Sequence, residues 1–139
     1  MNDNIFERMI TLVSQGFMCA QIPLILTLEA EGEENSELVR ALTGLNLGFN
    51  DTSGPCGALL GGCSMISYFA GKGDELELED PAFKRMISEY TSWFREQYGS
   101  QICTELIEGD MKNTLERCPA LVEASYIKAR EILESNGLL

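Results

Sequence analysis

The sequence predicts an all-α fold, a single-domain bundle of about five to six helices. Two observations support this prediction. Apolar residues recur at helical spacing in several separate stretches, so each stretch would present one apolar face. Proline or capping residues stand where the stretches begin. The one strand-like segment, DELELE at residues 74–79, is short and acidic. We interpret it as a linker, because a single exposed segment forms no sheet.

The first helix is predicted by a stripe of residues spaced four, three, four and three apart: Ile5, Met9, Leu12, Gly16 and Cys19. Residues at this spacing share one face of a helix, which places Cys19 on the buried face. Pro23 follows four residues later. Proline has no amide hydrogen, and its ring would press on the carbonyl of Cys19. A kink or helix break is therefore expected beside Cys19.

Capping residues predict the second helix and the loop after it. Asn35 or Ser36 can cap a helix that runs to about Leu47. Residues 48–54 follow and are rich in glycine, asparagine, aspartate and serine. Such a composition is typical of a connecting loop.

The third helix carries the most informative motif, GPCGALLGGC at residues 54–63. Pro55 suits the first position of a helix, and the glycines at 71 and 73 would end it. Cys56 falls in the first turn, where free amides and the helix dipole stabilise a thiolate, so we predict that it is the most reactive thiol. Gly57 and Gly61 leave one face bare for a cofactor to approach. The alternative is a tight helix crossing beside a buried cysteine.

Two more helices complete the bundle. Asp80-Pro81 marks the start of one, and its buried face is predicted to hold Phe83, Ile87, Tyr90, Phe94 and Tyr98. Cys118-Pro119 marks the start of the last helix. We assign the aromatic residues to the core, because aromatic side chains at helical spacing are usually packing residues.

Composition and charge limit the classes of partner. The chain has 139 residues, of which 45% are hydrophobic, enough for one domain. Its formal net charge of −12 repels phosphate backbones and anionic lipids, so neither nucleic acid nor a membrane is an expected partner. The longest nearly apolar run, residues 17–28, is shorter than the roughly 20 residues that cross a bilayer. The first residues show no signal-peptide pattern, so we expect a cytoplasmic location.

The chain contains five cysteines and no histidine. The lack of histidine excludes Cys-His and Ser-His catalytic pairs, histidine zinc sites and histidine haem ligation. In a reducing compartment the cysteines are interpreted as thiols, metal ligands or transient redox groups. Cys63 lies seven residues after Cys56, about 10.5 Å along a continuous helix, so the two cannot form a disulfide. We interpret Cys63 as a small buried apolar residue.

Four short motifs occur in order along the chain. Cys19 lies in GFMCAQ, CGALLG starts at Cys56, Cys103 lies in QICTELI, and Cys118 precedes an amphipathic helix. In this order and spacing the chain resembles the bacterial C-GCAxxG-C-C family of redox-active proteins over nearly its whole length. The resemblance implies that these four are signature cysteines, and that an iron–sulfur or related group is the favoured cofactor. Cys63 lies outside the signature.

The resulting hypothesis is one redox site whose thiolates hold an iron–sulfur cluster for electron transfer. Its expected cofactor-binding residues are Cys19, Cys56, Cys103, Cys118, Gly57 and Gly61, with the four cysteines as metal ligands. The same thiols could instead hold zinc or cycle between dithiol and disulfide without metal. A purely structural acidic bundle with buried cysteines is a further alternative. The acidic surface suits docking to a basic redox protein, and self-association into a homo-oligomer stays open.

Overall fold

The structure is a computed structural model that describes residues 2–139, and it confirms the all-α prediction. Seven α-helices and no β-strand occur in that range. None of these helices combines the length and apolar character needed to cross a bilayer. The helices are α1 (Asn2–Ser14), α2 (Ile22–Ala30), α3 (Ser36–Ala41), α4 (Gly57–Ala70), α5 (Phe83–Tyr98), α6 (Cys103–Leu106) and α7 (Asn113–Ser135).

Helix α4 is the centre of the bundle, since it packs against α2, α5 and α7. Every residue of α2 from Ile22 to Leu28 is buried. A helix that is apolar all round belongs in the interior, because it has no face that water would favour. The segments that flank α2 and α4 are therefore anchored to the best-packed part of the molecule.

The break between α1 and α2 is confirmed, but it differs in form from the prediction. Helix α1 ends at Ser14, and Gly16 follows with a φ of 96°. Cys19 therefore lies in the connecting loop, so its predicted place on the helical stripe is wrong. Pro23 stands in the first turn of α2 and does not kink a continuous helix. Met9 and Leu12 of the predicted stripe are buried as expected.

Helix α3 begins as predicted and ends early. The side chain of Asn35 caps it by accepting a 3.0 Å hydrogen bond from the amide of Leu38. The helix stops at Ala41 and continues only as a short 3₁₀ turn at Thr43–Leu45. Leu47 then adopts a φ of 53°, a left-handed conformation that ends any right-handed helix.

The predicted boundaries of α4 and α5 are confirmed within about two residues. Cys56 is the N-cap of α4, directly after Pro55. Before α5, a carboxylate oxygen of Asp80 accepts a 2.8 Å hydrogen bond from the amide of Ala82. Helix α5 ends at Gly99, whose φ of 75° suits glycine. Of its predicted buried face, Tyr90 and Phe94 are buried and Phe83, Ile87 and Tyr98 are half-buried, and the acidic linker before it forms no helix or strand.

The predicted start of the last helix is wrong. Helix α7 begins at Asn113, so Cys118 and Pro119 lie inside it. Inside a helix a proline removes the backbone hydrogen bond to the carbonyl four residues earlier, here that of Leu115, and its ring presses on that carbonyl. Leu115 is 85% exposed, so water can replace the missing donor. The helix continues through the proline, and Cys118 lies half-buried within it.

Candidate cysteine site

The four signature cysteines come from four separate elements. Cys19 lies in the α1–α2 loop, Cys56 caps α4, Cys103 is the first residue of α6, and Cys118 lies in α7. All of them are free thiols. Cys56 and Cys103 are buried, whereas Cys19 and Cys118 are half-buried.

Backbone hydrogen bonds hold Cys56 and Cys103 on two adjacent extended segments. The amide of Cys56 donates to the carbonyl of Gln101 at 2.7 Å, and the amide of Cys103 donates to the carbonyl of Gly54 at 2.9 Å. These bonds belong to an isolated antiparallel bridge between the two segments. This pairing could not be predicted from the sequence, because a single bridge has no alternating pattern.

The sulfur of Cys19 rests against the first turn of α4. A Cβ atom on Gly57 would lie 2.3 Å from the Sγ atom of Cys19, so only glycine leaves room for that sulfur. The amide of Leu47 points at the same sulfur, with an N-to-Sγ distance of 3.3 Å. The structure thus places Gly57 beside a signature thiol, where its cofactor-lining role stays a prediction.

Gly61 occupies a different environment. A Cβ atom there would lie 2.7 Å from the Cγ atom of Pro23 and 3.2 Å from the carbonyl oxygen of Ala20. Its missing side chain therefore lets α4 cross α2 closely, which is the alternative interpretation of this glycine. The involvement of Gly61 with a cofactor stays a prediction.

A left-handed turn, which sequence reasoning missed, lies beside Cys19 and Cys103. A Cβ atom on Gly48 would lie 2.6 Å from the Cβ atom of Cys103. Residues with left-handed φ are rare outside glycine and asparagine, and such conformations are held by their surroundings. The residues with left-handed φ in this turn are Leu47, Gly48, Phe49, Asn50 and Thr52. The loop-forming composition of residues 48–54 was the available signal, but it did not reveal the contact with the cysteines.

Helix α7 brings Cys118 towards α6. The guanidinium of Arg117 donates a 2.8 Å hydrogen bond to the carbonyl of Leu106, the last residue of α6. Arg117, which precedes Cys118 in sequence, therefore joins α7 to α6, the helix that begins at Cys103.

The thiols act on one another electrostatically. Burial, with a smaller effect of negative charge on Cys19 and Cys118, raises the pKa of Cys56 to about 12. Burial, and to a smaller extent negative charge on Cys19 and Cys103, raises the pKa of Cys118 to about 11. Burial and charge on Cys19 also raise the pKa of Cys103. Negative charge on Cys19 thus contributes to the raised pKa of each of the other three thiols.

The predicted low pKa of Cys56 is wrong. The amides of Ala58 and Leu59 do lower its pKa, as expected at a helix start, but burial outweighs them. Only 6% of Cys56 is exposed, so little water solvates a thiolate there. Cys56 is accordingly not the expected first target of an alkylating reagent.

Three thiols with raised pKa values, one buried and two half-buried, predict that the protein loses stability at alkaline pH. The pKa values of Cys56, Cys63 and Cys118 rise to about 12, 11 and 11 from an ordinary value of 9.0, chiefly through burial. The native chain then keeps protons that the unfolded chain has lost, so the free energy of unfolding should fall between about pH 9 and pH 11. Urea unfolding across this range measures it. Cys56→Ala should flatten the decline, and an unchanged decline would contradict the assignment to Cys56.

The described residues contain no ready single-ion site. Across residues 4–139, no group of three or more cysteine, aspartate or glutamate side chains is gathered closely enough to hold one metal ion. The four signature thiols therefore influence one another's protonation without surrounding a single centre.

Comparison with known proteins gives one match. The family model described as "Putative redox-active protein (C_GCAxxG_C_C)" matches residues 17–132, a range that includes all four signature cysteines. No curated protein and no solved structure matches the chain.

Proposed function

Because the chain belongs to the redox-active C_GCAxxG_C_C family, we propose that its four signature cysteines bind an iron–sulfur cluster for electron transfer. The ligands would be Cys19, Cys56, Cys103 and Cys118. The observation that supports this proposal is geometric: the sulfur of Cys19 lies against the first turn of α4, which Cys56 caps, and the segments of Cys56 and Cys103 are hydrogen-bonded to each other. Negative charge on Cys19 also contributes to the raised pKa of each of the other three thiols, as expected for thiols of one region.

The same geometry favours a cluster over a single zinc ion. Zinc requires its four ligands around one atom, whereas the thiolates of a cluster are distributed over two or four iron atoms and stand further apart. The described part of the chain gathers no three ligands around one point.

The protein's own residues would prepare and tune such a site. Burial keeps Cys56 and Cys118 protonated near neutral pH, so binding of iron must release their protons. The amide of Leu47 would donate to the sulfur of Cys19, and hydrogen bonds to cluster thiolates shift the reduction potential. When bound, the cluster would accept and release electrons. The acidic surface suits a basic redox protein as the exchange partner.

Anaerobic reconstitution with ferrous iron and sulfide tests the proposal. The wild-type chain should bind both, measured as iron and acid-labile sulfide per chain together with visible absorption. Cys19→Ala should lower the iron content by about tenfold, because it removes one of the four proposed ligands. Cys63→Ala is the matched control and should load normally. Failure of the wild type to bind iron and sulfide, or equal loading of both variants, would overturn the proposal.

A metal-free dithiol protein is the second candidate, and the free state of the interacting thiols favours it. Two protein thiols would give two electrons and two protons to glutathione disulfide, forming one protein disulfide and two glutathione thiols. Peptide mapping after this oxidation identifies the pair. A reversible bond between Cys19 and another signature cysteine, with no iron bound on reconstitution, would favour this candidate over the cluster.

A further inference from the structure

Helix α1 carries apolar side chains on more of its circumference than the core covers. Met9 and Leu12 on its inner face are buried, whereas Phe6, Ile10 and Val13 on the neighbouring face are 43%, 48% and 52% exposed. Each residue advances about 100° around a helix, so the two faces together span about 160°, and packing on one side of a core needs only about 100°. Phe6, Ile10 and Val13, here called the α1 stripe, are therefore left in contact with solvent.

The α1 stripe has the spacing of a seam between two helices. Its members follow one another at intervals of four and three residues. At this spacing two helices pack their side chains into the gaps between the side chains of the facing helix. The spacing is also complementary to itself. In an antiparallel pair, Phe6 of one copy faces Val13 of the other, and Ile10 lies beside the two-fold axis.

The charge distribution favours a second copy of the chain as the occupant of this face. The chain has 22 acidic and 10 basic residues, so two copies repel each other over most of their surface. The described side chains of α1 include only two charged residues, Glu7 and Arg8, and their charges are opposite. No charged residue occurs from position 9 to position 28. Two copies can thus meet along α1 without opposing carboxylates, whereas the charge of a basic partner would draw it to the acidic surfaces instead.

We propose that α1 is a self-association surface, along which two copies of the chain pair antiparallel through the α1 stripe. The seam is one helix of 13 residues from each chain. It is smaller than the standard interface of about 800 Å² per partner, so we expect a weak dimer with a dissociation constant of about 10 µM. The pairing uses none of the cysteines, and it does not rest on the proposed function.

Sedimentation velocity of the reduced chain between about 1 and 100 µM tests the proposal. The reductant prevents disulfide-linked dimers. The wild type should change from monomer to dimer across this range. Ile10→Lys should weaken the pairing by at least about tenfold, because it places two like charges beside the two-fold axis. Circular dichroism verifies that the variant keeps its helices, and Val13→Lys is the second variant if Ile10→Lys does not fold.

Leu115→Lys is the matched control. Leu115 is also a large apolar residue exposed on a helix, in this case α7, and its substitution changes the net charge by the same amount. This variant should associate as the wild type does. An equimolar mixture of folded Ile10→Lys and Ile10→Glu adds a test of the geometry, since opposite charges then meet beside the axis and the pairing should recover.

Three outcomes would overturn the proposal. A wild type that stays monomeric at the highest concentration would leave the α1 stripe to a different protein. Equal association of the wild type and folded Ile10→Lys, or an equal loss in Leu115→Lys, would show that any dimer uses another surface. Absence of recovery in the mixture would exclude antiparallel pairing about Ile10.

Discussion

Gly62→Ala is expected to lower the free energy of unfolding by about 3 kcal/mol, because the added methyl group would overlap a fully buried tyrosine. A Cβ atom at position 62 would lie 2.0 Å from the hydroxyl oxygen of Tyr90 and 2.2 Å from its Cζ atom. These distances are far inside van der Waals contact, so the ring or α4 must move. Either movement disturbs the centre of the bundle, where α4 meets α5.

Tyr90 has little freedom to give way. It is 0% exposed, its hydroxyl donates to the carbonyl of Ala58 at 3.1 Å, and its ring lies 6.0 Å from that of Trp93. Urea denaturation measures the loss of stability. Gly44→Ala is the control, since nothing lies within 4 Å of a Cβ atom there, and it should change stability by about 0.5 kcal/mol at most. Equal stability of the two variants would contradict the predicted overlap.

Helix ends that depend on local chemistry were predictable from the sequence. Asn35 caps α3, Pro55 stands just before α4, and Gly99 ends α5, as their conformational preferences require. The aromatic face of α5 was also predictable, because its residues recur at helical spacing, and Tyr90 and Phe94 are both 0% exposed. In each case the deciding interaction lies within a few residues of the one that signals it.

Features that depend on distant contacts were not predictable. Cys118-Pro119 has the form of a helix start, but packing of α7 on α4 sustains a helix that already began at Asn113. The left-handed turn includes Leu47 and Thr52, residue types that do not favour such a conformation. Its stability depends on contacts with segments that are remote in sequence.

At the candidate site, too, local features were predictable from the sequence and features that depend on distant contacts were not. The four cysteines could be nominated from their motifs, but their electrostatic coupling depends on the tertiary fold. For Cys56 the local effect of a helix start predicted a lowered pKa, and the non-local effect of burial raised it to about 12. The contact between Gln21 and Asn46 joins residues 25 apart and has no local signature.

Gly57→Ala is expected to displace the sulfur of Cys19 and greatly reduce iron and sulfide loading. A Cβ atom at position 57 would lie 2.3 Å from that sulfur and 3.1 Å from the amide nitrogen of Ala20. The cysteine loop must then retreat from α4, which also strains the bond between Ala20 and Asn46. We expect a loss of about 2 kcal/mol in unfolding free energy, together with cluster loading as low as that of Cys19→Ala.

A double-mutant cycle separates this overlap from a general effect of alanine at the start of α4. In a Cys19→Ala background the overlapping sulfur is gone, and the nearest remaining atoms are the amide nitrogen of Ala20 at 3.1 Å and the Cβ atom of residue 19 at 3.2 Å. Gly57→Ala should therefore destabilise that background less than the wild type, with a coupling energy of about 1 kcal/mol or more. Urea unfolding of the four proteins gives this value directly. The same loss in both backgrounds would mean that the methyl group does not meet the Cys19 sulfur, and Gly57 would then not be needed to seat this thiol beside α4.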